Sequence, residues 1–82
     1  MIANKTLLQR KYARVISAYA ERCEVDLRLA LDVFYNSMVY IEMSQGVSDM
    51  HCRSDGYLAE EIEILEREHL AANALLDVDN FS

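Results

Sequence analysis

Apolar side chains recur along most of this chain at intervals of three and four, the period of an amphipathic helix. Leu8, Tyr12, Val15, Ile16, Tyr19 and Cys23 are the first such set, confined to a stripe about 100° wide, with Arg10, Arg14, Ser17 and Glu21 opposite. Thr6 and Gln9 fit a capping box, in which a hydroxyl and an amide side chain satisfy two free backbone donors. The spacing therefore predicts a first helix from Thr6 to about Cys23. Glu24-Val25-Asp26 reads as a link, with Asp26 capping a second helix through Leu27, Leu29, Ala30, Leu31, Val33, Phe34 and Tyr35. That helix is apolar on most sides, which makes it the expected buried centre, with Leu27, Ala30, Leu31 and Phe34 as one stripe.

Asn36-Ser37 interrupts the pattern, because both side chains compete for backbone hydrogen bonds. Ser37 is the expected cap of a short third helix, Met38 to Gln45, ended by Gly46 in the left-handed conformation that glycine enters cheaply. The polar run from Val47 to Gly56 reads as turns, with Ser48 or Asp49 capping one of them and Ser54 or Asp55 capping the last helix. The last helix is expected from near Tyr57 to about Leu76, with residues 77–82 fraying. It carries two apolar stripes. Leu58, Ile62, Leu65, His69, Ala72 and Leu76 make a heptad-like seam, and Tyr57, Ile64, Ala71 and Leu75 lie on another side. Glu61 and Glu68 stand between them. One stripe is enough to dock a helix on its own domain; a second points to another copy or a partner, unless both are covered within one bundle.

The fold class expected is all-α: about four helices with the last one long, forming a small orthogonal or up-down bundle within a single domain, residues 1–76. Its expected core is Leu8, Tyr12, Val15, Ile16, Tyr19, Leu27, Ala30, Leu31, Phe34, Tyr35, Val39, Leu58, Ile62 and Leu65.

Composition narrows this further. At 82 residues with 52% hydrophobic side chains, the chain is one domain and too apolar to be intrinsically disordered. A domain of this size buries only about 60% of its unfolded surface, so association is an expected source of extra stability. No run of about 18 apolar residues offers a membrane span. Net charge is -6, which argues against a general nucleic-acid binder. The charge is uneven. Residues 1–20 carry Lys5, Arg10, Lys11 and Arg14 and no acid, whereas Glu60, Glu61, Glu63, Glu66 and Glu68 crowd the last helix. Such asymmetry favours antiparallel packing of the two ends, within a chain or between chains, although two solvated faces are the plainer reading.

Chemistry is harder to place. Cys23 and Cys52 are too few for a disulfide framework and read as reduced thiols; with no basic-then-apolar signal segment at Met1–Lys5, the expected compartment is the cytoplasm. No spacing of His and Cys suggests a metal site, and His51 beside Cys52 is poorly placed as a catalytic pair because neighbours on a helix diverge. Arg10, Lys11, Arg14 and Arg22 with Tyr12 or Tyr19 would be a thin nucleic-acid footprint. The reading is a non-enzymatic protein with no catalytic residue, cofactor or metal.

Phe34-Tyr35-x-Ser37, Asp49-x-His51-Cys52-x-Ser54 and Tyr57-Leu58-x-Glu60-Glu61 occur in that order. This set resembles a family of short bacterial proteins known only as a domain of unknown function, and the likeness covers about residues 15–66. Members of that family are often encoded beside ADP-ribosyltransferase-like proteins. The resemblance implies one half of a toxin–antitoxin pair, in which a small acidic helical chain suits the antitoxin role and its last helix enters a basic cleft of the toxin-like enzyme. The expected partner-binding residues are Tyr57, Glu61, Ile64, Glu68, Ala71 and Leu75, with Asp49, His51, Arg53 and Asp55 of the turn as a second contact. The rival readings are a self-associating structural module and, further off, a nucleic-acid-binding regulator.

Overall fold

The computed structural model describes residues 5–72 apart from the side chain of Ser48, and gives for residues 73–80 the helical course alone. The chain is all-α. Its elements are α1 (Lys5–Cys23), α2 (Leu27–Tyr35), α3 (Met38–Gln45), a 3₁₀ segment (Val47–Cys52) and α4 (Asp55–Asn80), the longest helix. No strand occurs among the described residues. The helical course of α4 runs past the expected end near Leu76 to Asn80, and residues 81–82 lie outside the described residues.

The helix ends are local chemistry. Leu29 N–H donates to Asp26 Oδ1 at 2.8 Å, Tyr40 N–H to Ser37 Oγ at 3.2 Å and Tyr57 N–H to Ser54 Oγ at 3.1 Å. Each side chain satisfies an amide that the helix leaves free, worth about 1 kcal/mol. At the α2–α3 break, Asn36 Nδ2 donates to Asp32 O at 2.8 Å and Ser37 Oγ to Phe34 O at 2.6 Å. Asn36 N–H still donates to Asp32 O at 3.2 Å, and Phe34 O is taken by both the backbone N–H and the hydroxyl of Ser37, so the side chains reinforce the end of α2. Gly46 closes α3 at φ 68°. Thr6 stands within the first turn of α1, which opens one residue earlier than the spacing predicts. At the other end of α1, Glu24 adopts φ 54° and Val25 N–H donates to Ala20 O at 3.0 Å. That pattern is a left-handed helix termination, with glutamate where glycine is usual.

The core is built from Tyr12, Val15, Ile16, Tyr19 and Ala20 of α1, Ala30 and Phe34 of α2, Val39 and Met43 of α3, Met50, and Leu58, Ala59 and Ile62 of α4. Leu8 and Leu65 pack at its margin. Tyr12, Phe34, Tyr35 and Tyr40 meet where α1, α2 and α3 converge, with tilted or edge-on ring pairs 4.8–6.3 Å apart. Such geometries suit the aromatic quadrupole.

Two expectations are corrected. The second helix is not the buried centre: Leu27, Leu31 and Tyr35, expected in the core, are 61%, 50% and 43% exposed, and α2 buries only Ala30 and Phe34. A chain this short cannot surround a helix, and the central place goes to α4, against which α1 lies. The second correction concerns direction. Lys11 of α1 meets Asp55 at the start of α4, and further along both helices Cys23 meets Glu63. The basic and acidic helices therefore pair with parallel polarity, not antiparallel. This also excludes a simple up-down bundle, whose first and fourth helices would run oppositely.

Candidate functional site

The α1–α4 seam consumes part of the turn expected to bind a partner. Lys11 Nζ lies 2.6 Å from Asp55 Oδ1 and donates to Arg53 O at 2.6 Å, while Arg14 Nε donates to Asp55 Oδ2 at 3.2 Å. Asp55 also opens α4, where the free amides of a helix start favour a negative charge. The Lys11 hydrogen bond, outweighing partial burial, holds the Asp55 carboxyl below its usual range. Lower on the seam, Cys23 Sγ donates to Glu63 Oε2 at 3.1 Å, and Arg22 and Arg67 flank Glu63 at 3.3 and 3.2 Å. The Cys23 bond is the chief cause of a lowered Glu63 carboxyl. Burial first, then the Glu63 carboxylate, pushes the Cys23 thiol up. These are groups held in structural pairs.

The remaining expected residues are dispersed. Arg53 lies over the Tyr57 ring, 5.5 Å from its centroid, and Asp49, Arg53 and Tyr57 are exposed. His51 is half-buried beside Gly46, where an added Cβ would meet its Cε1 at 3.9 Å. Glu61 is half-buried, whereas Ile64, Glu68 and Ala71 are exposed, so the second stripe on α4 is uncovered as far as it is described. The side chain of Leu75 lies outside what the structure describes.

A groove of about 740 Å³ opens between α4 and the α2–α3 junction, and of the expected residues it includes Glu68 alone. Its floor is apolar, with Val33, Met38, Ile62 and Leu65; Asp32, Glu66 and Glu68 supply carboxylates, and Asn36, Ser37 and His69 complete the lining. The groove follows the first stripe of α4, not the second. Leu58 and Ile62 are fully buried and Leu65 partly, but His69 and Ala72 are exposed. The seam thus outruns the helices that cover it. The sequence signal for this was the unequal length of the two partners: a long seam set against a second helix broken early at Asn36-Ser37.

Cys23 and Cys52 are free thiols, the first half-buried and the second exposed. Among the described residues no group of three or more His, Cys, Asp or Glu is arranged to hold a metal ion, and no helix is long and apolar enough to cross a membrane. Comparison with protein-family models, curated proteins and solved structures gives no match for this chain.

Proposed function

We propose that this protein is a non-enzymatic interaction module that binds another protein through the groove between α4 and the α2–α3 junction. The observation that carries the reading is the lining of that groove. An apolar floor of Val33, Met38, Ile62 and Leu65 edged by Asp32, Glu66 and Glu68 suits a partner segment with a basic rim and an apolar ridge, such as a cationic amphipathic helix. Anionic small molecules are disfavoured by the same carboxylates. The family resemblance supplies the specific partner: a toxin-like enzyme of the ADP-ribosyltransferase-like kind, with this chain in the antitoxin role.

The test is retention of an enzyme of that kind by the tagged chain, first in the native host and then with both proteins purified. Wild type holds the enzyme and suppresses its activity. A variant with Glu66→Lys and Glu68→Lys keeps its helix content and loses both properties. Equal binding by wild type and variant would remove the groove from the reading, and an enzyme fully active in the presence of excess wild type would remove the antitoxin role.

A further inference from the structure

A second apolar surface shares no residue with that groove. Between α1 and α2 runs an open trough of about 450 Å³, lined by Gln9, Ala13, Ile16 and Ser17 on one side and Leu27, Leu31 and Tyr35 on the other. The three α2 residues stand four apart, so they form one continuous ridge along the helix. Gln9, Ala13 and Ser17 stand four apart as well, and the short side chains of Ala13 and Ser17 leave a furrow beside the ridge. One chain thus carries a ridge and a furrow side by side and nearly parallel. A surface with both elements fits itself through a two-fold axis, each ridge entering the other copy's furrow.

The charges around the trough obey the same symmetry. Arg10, Arg14 and Glu21 are exposed on α1, and Arg28 and Asp32 are exposed on α2. The two helices form a hairpin: Tyr35 lies against Tyr12 with ring centroids 6.3 Å apart, and Leu31 shares the trough with Ile16. Asp32 is therefore level with the basic half of α1, and Arg28 is level with Glu21. A two-fold axis along the trough preserves these levels while laying α2 of one copy over α1 of the other. Asp32 then faces Arg10 across the interface and Arg28 faces Glu21, while Arg14 stays with Asp55 of its own chain. The face is close to neutral, unlike the glutamate-rich α4, so a net charge of -6 does not concentrate repulsion there.

We infer that the α1–α2 face is a homodimer interface, with the Leu27–Leu31–Tyr35 ridge of each copy seated against α1 of the other in antiparallel contact. The inference does not rest on the partner groove, although Asp32 borders both surfaces. Sedimentation velocity on the full chain over a concentration series tests it. Wild type is expected to shift from monomer to dimer as concentration rises. Leu27→Glu with Leu31→Glu is expected to hold the chain monomeric with unchanged helix content, since both residues are exposed in the single chain. Arg28→Glu alone is expected to weaken the dimer about tenfold or more by placing two acids together, and adding Glu21→Arg restores it. A wild type that stays monomeric throughout would overturn the inference, as would a dimer indifferent to the Leu27 and Leu31 substitutions. Failure of the Glu21–Arg28 exchange to restore the dimer would overturn the arrangement.

Discussion

The two helices richest in leucine and isoleucine, α2 and α4, end in opposite situations. α2 is apolar almost throughout, yet Leu27, Leu29, Leu31 and Tyr35 face outward. α4 is crowded with glutamates, yet Leu58 and Ile62 are fully buried and Ala59 nearly so. Apolar content therefore does not decide which helix is central; a narrow stripe on a long helix does. Such a stripe buries completely against one neighbour while the charged side stays in water. A short helix that is apolar on several sides cannot be covered on all of them by a chain of this length, and what it leaves exposed becomes an interface.

The sharpest break of this contrast is a matched pair of truncations. Ile62→Ala removes a fully buried side chain and is expected to cost about 2–5 kcal/mol, enough to unfold much of so small a domain. Leu31→Ala removes a half-exposed one and is expected to cost well under about 1 kcal/mol in the monomer. Urea denaturation of both variants at a concentration below that of any dimer checks the pair. Equal losses would mean that α2 is as central as α4.

The ion-paired seam that seats α4 on α1 comes next in size. Asp55→Asn leaves the Ser54 cap intact but weakens the attraction to Lys11, Arg14 and the α4 amides, with an expected loss of about 1 kcal/mol at neutral pH. The sign with pH follows from the lowered carboxyl. Folded Asp55 binds its proton less readily than the unfolded chain, so its stabilisation is complete above the ordinary value of 3.8 and is lost as pH falls through the lower folded value. Denaturation midpoints across the acid limb are expected to fall less steeply in the Asp55→Asn variant than in wild type. The alkaline limb has the opposite origin. Cys23 is raised above 9.0 and Tyr19 is pushed up to about 12, each chiefly by burial. Their stabilisation is complete below the unfolded values and is lost as pH rises through the folded ones. Cys23→Ala is expected to flatten the loss of stability as pH rises above 9.0. An unchanged slope would place the alkaline lability elsewhere.

Much of the fold was legible because it is written locally. Asp26, Ser37, Gly46 and Ser54 each punctuate the chain through bonds to residues at most four away, and all four act where their chemistry predicts. The buried stripe of α1 and the first stripe of α4 were legible for the same reason, since a 3.6-residue period shows in sequence. The fate of α2 was not. Leu27 and Leu31 share a period with Ala30 and Phe34, and only the arrangement of neighbours decides which edge of a wide apolar sector is covered. The relative direction of α1 and α4 was hidden too, because opposite charge attracts in either polarity; the path through α2, α3 and the 3₁₀ segment sets it. The groove was half visible. Its floor residues Ile62 and Leu65 belong to the seam that the spacing predicts, but where the covering helix stops is a three-dimensional fact.

The joint between α1 and α2 gives the finest test of the contrast, because it is where the uncovered helix is turned back on the covered one. Glu24 holds φ 54° there, a conformation that costs a side-chain-bearing residue about 1 kcal/mol and glycine little. Its side chain is exposed, and the left-handed termination is fastened through the backbone, by Val25 N–H on Ala20 O. Glu24→Gly therefore keeps the fastening and relieves the strain. Glycine also enlarges the freedom of the unfolded chain, which offsets part of the gain. The net expectation is a stabilisation of about 0.5 kcal/mol, read as a small rise in the denaturation midpoint with an unchanged slope. The opposite change, Glu24→Val, places a β-branched residue at positive φ and is expected to destabilise. If Glu24→Gly instead lowers stability, the glutamate side chain contributes to the turn beyond its backbone, and the joint rather than the seam fixes how α2 lies.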